Sequence, residues 1–365
     1  MKALTWQGAD KVSVETVDDP TIEKPTDAII EVTSSGVCGS DLHLISVLAP
    51  YMNEGDIMGH EPMGRVVEAG SESGLKVGDR IVVPFNISCG HCWMCDHSLY
   101  SQCETTQVTE KGSGASLLGF SELYGSVPGG QAQYLRVPHA DFGAIKVGNE
   151  LEDHRYVFLS DVLPTAWQGV KYADVGEGDT IAVYGLGPIG QMAARMARHM
   201  GARVFGIDPV AERREMAARH GIEVFAGGDE TVAELRDMTD GRGPDAVLDA
   251  VGMEAHGSPV GGAIQTAAGF LPDAAAQKVM ETAGVDRLSA LHEAIDLVRR
   301  GGTISISGVY GGAASPMPLL TLFDKQIQMR MGQCNVKKWI SDLMPLVEDP
   351  SDTLGVDDQI GRGHV

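Results

Sequence analysis

The sequence has few basic residues and no long apolar run, and both absences narrow the class of protein. Lys and Arg total 28 against 50 Asp and Glu, a net charge of -22, which argues against nucleic acid or an anionic membrane as a partner. No apolar run is long enough to span a bilayer, and the N-terminal MKALTWQGADKV lacks the apolar core of a signal peptide. We therefore expect a cytoplasmic protein with no nucleic-acid or membrane partner.

Cysteine is also scarce, and repeats are absent. Six cysteines in 365 residues do not suggest a disulfide scaffold in a cytoplasmic chain. The length suffices for two domains, each with its own core. Because the cysteines that are present are unevenly spaced, their arrangement is more informative than their number.

Four cysteines lie in the segment CGHCWMCDHSLYSQC with the spacing C-x2-C-x2-C-x7-C. Tight CxxC turns place thiolates at distances suited to a tetrahedral metal, and four thiolates leave no position for substrate. An iron–sulfur cluster is the alternative, but the pattern favours structural zinc. The predicted ligands are Cys89, Cys92, Cys95 and Cys103, with His91 and His97 as bystanders.

A second candidate metal site lies between residues 32 and 67. Its polar residues form two clusters, Cys38 with Ser40, Asp41 and His43, and then His60 with Glu61, between Gly59 and Gly64. Singly, a cysteine is usually a small buried hydrophobe and a histidine a satisfied core or surface residue. Together, a thiolate and an imidazole are the ligands of a catalytic zinc that keeps one position open. The combination predicts such a zinc.

Asp161, in the segment FLSDVLPTAWQGV, has two interpretations from the residues alone. It suits the N-cap of a helix carrying residues 164–170. It also suits a third ligand for the zinc of Cys38 and His60.

A glycine-rich turn follows an apolar strand at residues 180–184 and precedes an alanine-rich amphipathic helix. Glycines at this spacing allow a tight turn and close approach to a pyrophosphate at the helix N-terminus. The residues predicted to contact this cofactor are Gly185, Gly187, Pro188, Ile189 and Gly190. Asp208, 23 residues after Gly185, can accept hydrogen bonds from ribose hydroxyls. Arg213 and Arg214 leave room for a 2'-phosphate, but Asp208 repels it, so we expect NAD rather than NADP.

The remaining pattern predicts an α/β protein. Short strand-like runs separated by turns indicate a β-rich domain at 1–160. It includes a Gly- and Ser-rich segment at 104–130 that is either a functional loop or an arm packing over another surface. From residue 161 to 349, strands and helices alternate, with late strands at 301–311 and 327–333 and a helix at 339–347. This alternation predicts a Rossmann doubly wound parallel sheet.

Taken together, GVCGSDLH, GHEPMG, the four-cysteine segment and GLGPIG resemble the zinc-dependent medium-chain alcohol dehydrogenases over about the first 350 residues. PFNISCGHC, GGQAQYLRVPHADF, LSDVLPTAWQG and DAVLDAVGMEAHG are most similar to the glutathione-independent formaldehyde dehydrogenase group. The resemblance implies a GroES-like fold for domain 1–160 and small-molecule alcohol or aldehyde substrates. It also implies a homodimer or homotetramer.

The resemblance implies site roles as well. It assigns Asp161, with Cys38 and His60, to the catalytic zinc, which makes two zinc ions per chain. Glu61 would stand beside the metal, and Asp41 would orient His60. Ser40 and His43 match a proton relay, and Arg213 matches a contact to the adenosine ribose. Gly308 and Val309 match a contact to the nicotinamide.

The implied function is hydride transfer between NAD and a primary alcohol or small aldehyde. Two alternatives stay open: a polyol or sugar dehydrogenase of the same fold, and a non-catalytic relative. The second follows from the tail at 350–365, which ceases to resemble the family after about Asp358. We expect this tail to continue the catalytic domain in a shortened form.

Overall fold

The computed structural model describes residues 1–252, 288–310 and 317–358. They form two compact units. Unit 1 comprises Met1–Pro164 and Cys334–Glu348, and unit 2 comprises Thr165–Gln333 and the residues from Asp349 onward. Among the described residues, none of the helices combines the length and apolarity that a membrane crossing requires.

The secondary structure is as follows. The strands are β1 (Lys2–Trp6), β2 (Val12–Thr16), β3 (Ala28–Ser35), β4 (Pro62–Ala69), β5 (Arg80–Val82), β6 (Tyr134–Val137), β7 (Ile145–Lys146), β8 (Thr180–Tyr184), β9 (Arg203–Ile207), β10 (Glu223–Phe225), β11 (Ala246–Asp249), β12 (Thr303–Ile306) and β13 (Gln328–Met331). The helices are α1 (Gly39–Ile45), α2 (Trp93–Asp96), α3 (Ala140–Gly143), α4 (Asp153–Tyr156), α5 (Val162–Ala173), α6 (Pro188–His199), α7 (Ala211–Arg219), α8 (Asp229–Asp237), α9 (Ser289–Leu297), α10 (Leu319–Lys325) and α11 (Val336–Val347).

Unit 1 is built on a five-stranded antiparallel sheet in the order β6-β3-β4-β5-β7, beside the hairpin β1-β2. Its core contains Ile30, Val66, Ile81 and Leu135, contributed by four of these strands. Strand β3 shifts register between Val32 and Ser34 against β4, a bulge that redirects the chain just before Cys38. Gly64 is required opposite this bulge because a Cβ there would overlap the Glu31 carbonyl oxygen.

Unit 2 is built on a six-stranded parallel sheet in the order β10-β9-β8-β11-β12-β13. Strands β8, β11 and β12 are buried almost without interruption, as expected for a parallel sheet covered on both faces. When the strands of unit 2 are numbered 1 to 6 from β8, the order is 3-2-1-4-5-6, the arrangement of dinucleotide-binding folds. The strand order reverses between β8 and β11, and this is the switch point of the sheet. The predicted fold class is confirmed. The predicted helical segments between 253 and 287 lie outside the described residues.

The predicted domain boundaries, 1–160 with 350–365 and 161–349, differ from the two units near the C-terminus. Helix α11 belongs to unit 1 because it buries Val336, Leu343 and Val347 there, and Lys337 Nζ donates to the Ala144 carbonyl at 3.2 Å. The tail instead joins unit 2, where Arg195 Nη1 donates to the Gly355 carbonyl at 2.7 Å. Tertiary contacts that no local pattern encodes decide both assignments.

Candidate metal and dinucleotide sites

His60 is held at the start of β4 with its two ring nitrogens facing different carboxylates. Nδ1 lies 3.1 Å from Asp41 Oδ1, and Nε2 lies 3.4 Å from Asp161 Oδ2. Asp41 is itself fixed at the first turn of α1, where its other oxygen accepts from the Cys38 backbone N–H at 2.9 Å. A hydrogen on Nδ1 donated to Asp41 leaves Nε2 as the available ligand atom.

Four potential metal donors converge at this point. One donor atom from each of Cys38, His60, Glu61 and Asp161 lies within 4.8 Å of the others. The bulge in β3, the start of β4 and the turn before α5 therefore bring together residues that are far apart in sequence. Gly36 permits this approach because a Cβ there would overlap the Glu61 carboxylate.

The electrostatics of this cluster favour a bound cation. Burial raises the pKa of the Cys38 thiol, although His60 opposes the shift. Burial, and then the Asp161 carboxylate, raise the pKa of Glu61 to about 8. Burial lowers the pKa of His60, but hydrogen bonds to Asp161 and Asp41 outweigh it and raise that pKa well above its ordinary value. Because Cys38, Glu61 and Asp161 are acidic groups buried close together, a cation between them would stabilise their charged forms.

The donor set also fits zinc chemically. A thiolate, an imidazole and a carboxylate are its preferred ligands, and buried Glu61 Oε1 has no hydrogen-bond partner among the described residues. We therefore assign Cys38, His60 and Asp161 as the residues that would hold a catalytic zinc, with Glu61 beside it.

Ser40 and His43, predicted for proton transfer, both lie on α1. They are three residues apart, so they share one face of the helix. Ser40 Oγ lies 3.8 Å from Cys38 Sγ. Both side chains are half-buried, which suits groups that pass a proton from an enclosed site toward solvent.

Two aromatic rings pack edge-on against His60. The Phe120 ring centroid lies 5.6 Å and the Phe85 centroid 6.3 Å from the imidazole centroid. Phe120 comes from the 104–130 segment, in which the Leu118 N–H donates to the Phe85 carbonyl at 3.0 Å. The segment therefore packs against its own unit, where it contributes an apolar wall beside the donor cluster.

The segment from Cys89 to Cys103 is called the cysteine lobe here. Its four cysteines form a second cluster, with each sulfur within 4.8 Å of the others. None is in a disulfide. Burial raises the pKa of Cys92, but backbone N–H groups of Cys95 and Glu104 outweigh it and lower that pKa to about 6. N–H donation to the Cys92 sulfur favours its thiolate, the form that binds metal. Burial and the neighbouring sulfurs instead raise the pKa of Cys95, so a cation between the sulfurs is needed for all four to be thiolates.

The two histidines near the lobe point elsewhere. His91 Nδ1 lies 2.8 Å from the Cys89 carbonyl, and His97 stacks on Trp93 at 3.9 Å between ring centroids. Neither belongs to the cluster of donors, which agrees with their description as bystanders. Four sulfurs with no further donor fit a closed structural zinc.

The glycine-rich turn joins β8 to α6 as a dinucleotide site requires. Gly185 has φ +83, and a Cβ at Gly190 would overlap the Gly185 carbonyl oxygen, so neither position tolerates a larger residue. Gly187 caps α6 and has no atom near its Cβ position, while Pro188 and Ile189 form the first turn. Open space before a helix N-terminus fits a pyrophosphate.

Asp208 lies at the end of β9, beside this turn, and is buried. Its Oδ2 accepts from the Leu186 N–H at 2.7 Å and its Oδ1 from the Val210 N–H at 2.8 Å. Each carboxylate oxygen has a second lone pair for a ribose hydroxyl. Arg213 Nη1 is 3.5 Å from Oδ2, whereas Arg214 donates to the Asp208 carbonyl at 2.7 Å.

Gly308 and Val309 follow β12 next to the end of β11. A Cβ at Gly308 would overlap the Gly252 N–H nitrogen, so glycine is required there. Val309 is 51% exposed and stands at the carboxyl edge of the sheet, where ligands of such folds bind.

Sequence reasoning missed one residue at the metal site, Gln131. Its Nε2 donates to Asp41 Oδ2 and to the Gly36 carbonyl, both at 3.4 Å. A Cβ at Gly59 would overlap the Gln131 side chain, so Gln131 packs against Gly59, the residue before His60. It lies in the GGQAQYLRVPHADF segment, which was the available signal. Phe85 likewise lies in the quoted segment PFNISCGHC, whereas Phe120 had no such signal.

Comparison with known proteins agrees with this geometry. The profile of the family described as Alcohol dehydrogenase GroES-like domain matches residues 24–147, and that of Zinc-binding dehydrogenase matches 188–268. The chain is 40% identical to the Uncharacterized zinc-type alcohol dehydrogenase-like protein AdhB of Bacillus subtilis, over 97% of this chain and 92% of that protein. The chain therefore belongs to the zinc-dependent medium-chain alcohol dehydrogenase superfamily, as an oxidoreductase of the zinc-type alcohol dehydrogenase class.

Two further relatives are informative. The Glutathione-independent formaldehyde dehydrogenase of Pseudomonas aeruginosa is 33% identical over 86% of this chain and 82% of its own. The solved structure of the alcohol dehydrogenase TADH from Thermus sp. ATN1 is similar at a TM-score of 0.77 and 30% identity, covering 98% of this chain and 90% of that one. The predicted superfamily is confirmed.

Proposed function

We propose that this protein transfers hydride between NAD and a primary alcohol or small aldehyde, formaldehyde included. The observation that carries the proposal is the convergence of Cys38, His60 and Asp161 in a buried space, with Asp41 on the opposite nitrogen of His60. This donor set is arranged for an open catalytic zinc.

The bound groups supply the chemistry, and the protein positions them. When bound, zinc would supply Lewis acidity toward a substrate hydroxyl, and NAD would supply the hydride-accepting ring. Asp41 fixes the tautomer and the plane of the His60 ring. The Cys38 thiolate and the Asp161 carboxylate together match the charge of Zn²⁺. Glu61, whose pKa burial raises to about 8, stands beside these ligands.

The proton released by the substrate hydroxyl needs a route out of this enclosed region. Ser40 Oγ lies 3.8 Å from the Cys38 sulfur, and His43 lies one helical turn further along α1. We assign Ser40 to accept the proton and His43 to pass it to solvent.

The apolar wall favours a small, weakly polar substrate over a polyol. Phe85 and Phe120 offer no hydrogen-bonding group beside His60, so the additional hydroxyls of a sugar would lose hydrogen bonds with water. Hydrated formaldehyde carries a hydroxyl on the carbon that loses hydride, so its oxidation needs no other machinery. The similarity to a formaldehyde dehydrogenase supports this substrate class.

A second zinc at Cys89, Cys92, Cys95 and Cys103 completes the proposal. Because four thiolates close that site, its role is to hold the lobe together rather than to bind substrate. Two zinc ions per chain are therefore expected.

The test is NADH formation by the purified protein with short primary alcohols, formaldehyde and sorbitol, with and without glutathione. We expect turnover of the alcohols and formaldehyde that is independent of glutathione, with NAD preferred over NADP. Preferential sorbitol turnover would favour the polyol dehydrogenase alternative. NAD binding without turnover of any substrate would favour the non-catalytic alternative.

A further inference from the structure

A cluster of cationic side chains lines a cavity of about 440 Å³ in unit 2. Its lining residues are Arg195, Arg198, His199, Arg219, His220, Gly221 and Thr353. The first three share one face of α6, since they stand at positions i, i+3 and i+4. Two more stand at the end of α7. In a chain with a net charge of -22, this concentration of positive charge is unusual.

Helix electrostatics explain only part of the arrangement. Cations near a helix C-terminus offset the macrodipole, and Arg198 and Arg219 both lie in the last turn of their helices. That effect acts on each helix separately. It does not explain why the ends of two helices and the buried Arg195 border the same cavity.

The carboxylates near the cluster are fewer than its arginines: Asp358 and Asp352 act on Arg195, whereas three arginines line the cavity. Asp358 accepts from Arg219 Nη2 at 3.1 Å and lies 2.8 Å from His220 Nε2. Arg195 is held mainly by neutral groups, such as the Gly355 carbonyl at 2.7 Å. Arg198 has no ion pair in the part of the chain that the structure describes. The side chains around the cavity therefore carry a net positive charge.

Two arginines at the cavity can donate hydrogen bonds to a ligand. Arg195 is only 4% exposed, and its Nε has no hydrogen-bond partner among the residues described. Burial lowers its pKa to about 10, so the guanidinium is charged at neutral pH and is stabilised by a nearby anion. The Arg198 guanidinium lies against Gly221, where a Cβ would stand 2.9 Å from its Nε. The glycine thus leaves space for the planar group.

We propose that this cavity binds a small phosphate-bearing anion. Guanidinium groups match tetrahedral phosphate oxygens through paired N–H donors, and the cavity is of a size that takes small ligands. The site differs from the dinucleotide turn. Arg198 lies ten residues after Pro188 on α6, which separates their backbones by about 15 Å. The proposal does not depend on the oxidoreductase activity.

The test is calorimetric titration of the full-length protein at constant ionic strength with two probes, inorganic phosphate and glycerol 3-phosphate. We expect saturable binding that Arg198→Gln weakens about tenfold, while Arg198→Lys retains part of the affinity. Arg242→Gln is the matched control, since Arg242 lies in the same unit and, of the residues that the structure describes, pairs only with the exposed Asp240. The relative affinity of the two probes identifies inorganic phosphate or an ester as the better ligand.

Three results would overturn the proposal. The first is the absence of saturable binding of either probe. The second is equal affinity in wild type and Arg198→Gln, with folding checked by circular dichroism. The third is loss of binding in Arg213→Gln but not in Arg198→Gln, which would assign the phosphate to the dinucleotide turn.

Discussion

A substitution of Asp161 distinguishes the two proposed zinc sites experimentally. Asp161 contributes a carboxylate to the Cys38 and His60 cluster and nothing to the cysteine lobe. We predict that Asp161→Ala lowers the zinc content from about two to about one per chain and abolishes turnover, because two ligands hold zinc poorly. Elemental analysis of the purified protein measures the change. The exposed Asp141→Ala serves as the control, and a variant that keeps both ions would remove Asp161 from the ligand set.

His43 tests the proton route. We predict that His43→Gln lowers turnover about ten- to a hundredfold near pH 7, since glutamine cannot carry a proton to solvent. The loss should shrink as the pH rises, because hydroxide then accepts the proton directly. Steady-state rates measured from pH 6 to 9 show the trend. Zinc content and NAD affinity should match wild type, as they should in the control His97→Gln. Unchanged turnover across this pH range would leave His43 without a role in the reaction.

Asp208 tests the choice of cofactor. Because it also supports the glycine turn through the Leu186 N–H, we choose Asp208→Asn, which keeps an acceptor and removes the charge. We predict that the NAD to NADP ratio of kcat/KM falls about tenfold, since the repulsion of a 2'-phosphate is lost. Asp229→Asn, on the exposed start of α8, should not change the ratio. A wild-type preference for NADP would contradict the ribose argument from the outset.

At the scale of elements, Asp245 joins three parts of unit 2. It accepts from the N–H and hydroxyl of Thr180 at the start of β8, both at 2.8 Å, and from Arg299 Nε at 2.7 Å. Burial raises the pKa of Asp245, but Arg299 and Thr180 outweigh it and lower that pKa below its ordinary value. A depressed carboxyl pKa stabilises the fold at pH values above the unfolded pKa, and that stability is lost as the pH falls through the folded pKa.

We therefore predict that Asp245→Asn destabilises unit 2 by about 1–3 kcal/mol at pH 7. The difference from wild type should narrow below about pH 4, where the unfolded carboxyl is protonated. Thermal unfolding at a series of pH values measures this. Asp240→Asn is the control because the ion pair between Asp240 and Arg242 is exposed to solvent. A destabilisation that stays constant down to pH 2 would mean that charge is not involved.

At the scale of the whole molecule, an exposed apolar face bears on the predicted homodimer or homotetramer. Helix α10 exposes Leu319, Leu320 and Phe323 at 68%, 79% and 81%. The following strand, β13, pairs only with β12 among the described strands, so its other edge is available to a second copy of the chain.

We predict that Phe323→Glu shifts the protein toward monomer, because a carboxylate is costly to bury in a self-associating apolar face. Light scattering after size exclusion gives the molar mass, to be compared with the 38.7 kDa chain. Val77→Glu, an exposed apolar site in unit 1, should leave the mass unchanged. Wild type eluting as a monomer would refute the oligomer prediction itself.

The local motifs could be predicted from the sequence because their geometry is set within a few residues. The four lobe cysteines, the turn from Gly185 to Gly190, and the alternation of strands and helices all depend on short-range spacing, and the fold class follows from them. The pairing of Cys38 with His60 was also readable, since each stands in its own short cluster beside glycines.

Long-range packing decided the rest. Whether Asp161 only caps a helix or faces His60 depends on how unit 1 closes, because 100 residues separate the two positions. The placement of α11 in unit 1, the support of Asp41 by Gln131 and the aromatic wall at Phe120 likewise come from contacts between distant segments. The cationic cavity forms only where α6, α7 and the segment around Thr353 meet. No periodicity in the chain encodes such meetings, because they depend on how the buried surfaces of complete elements fit together.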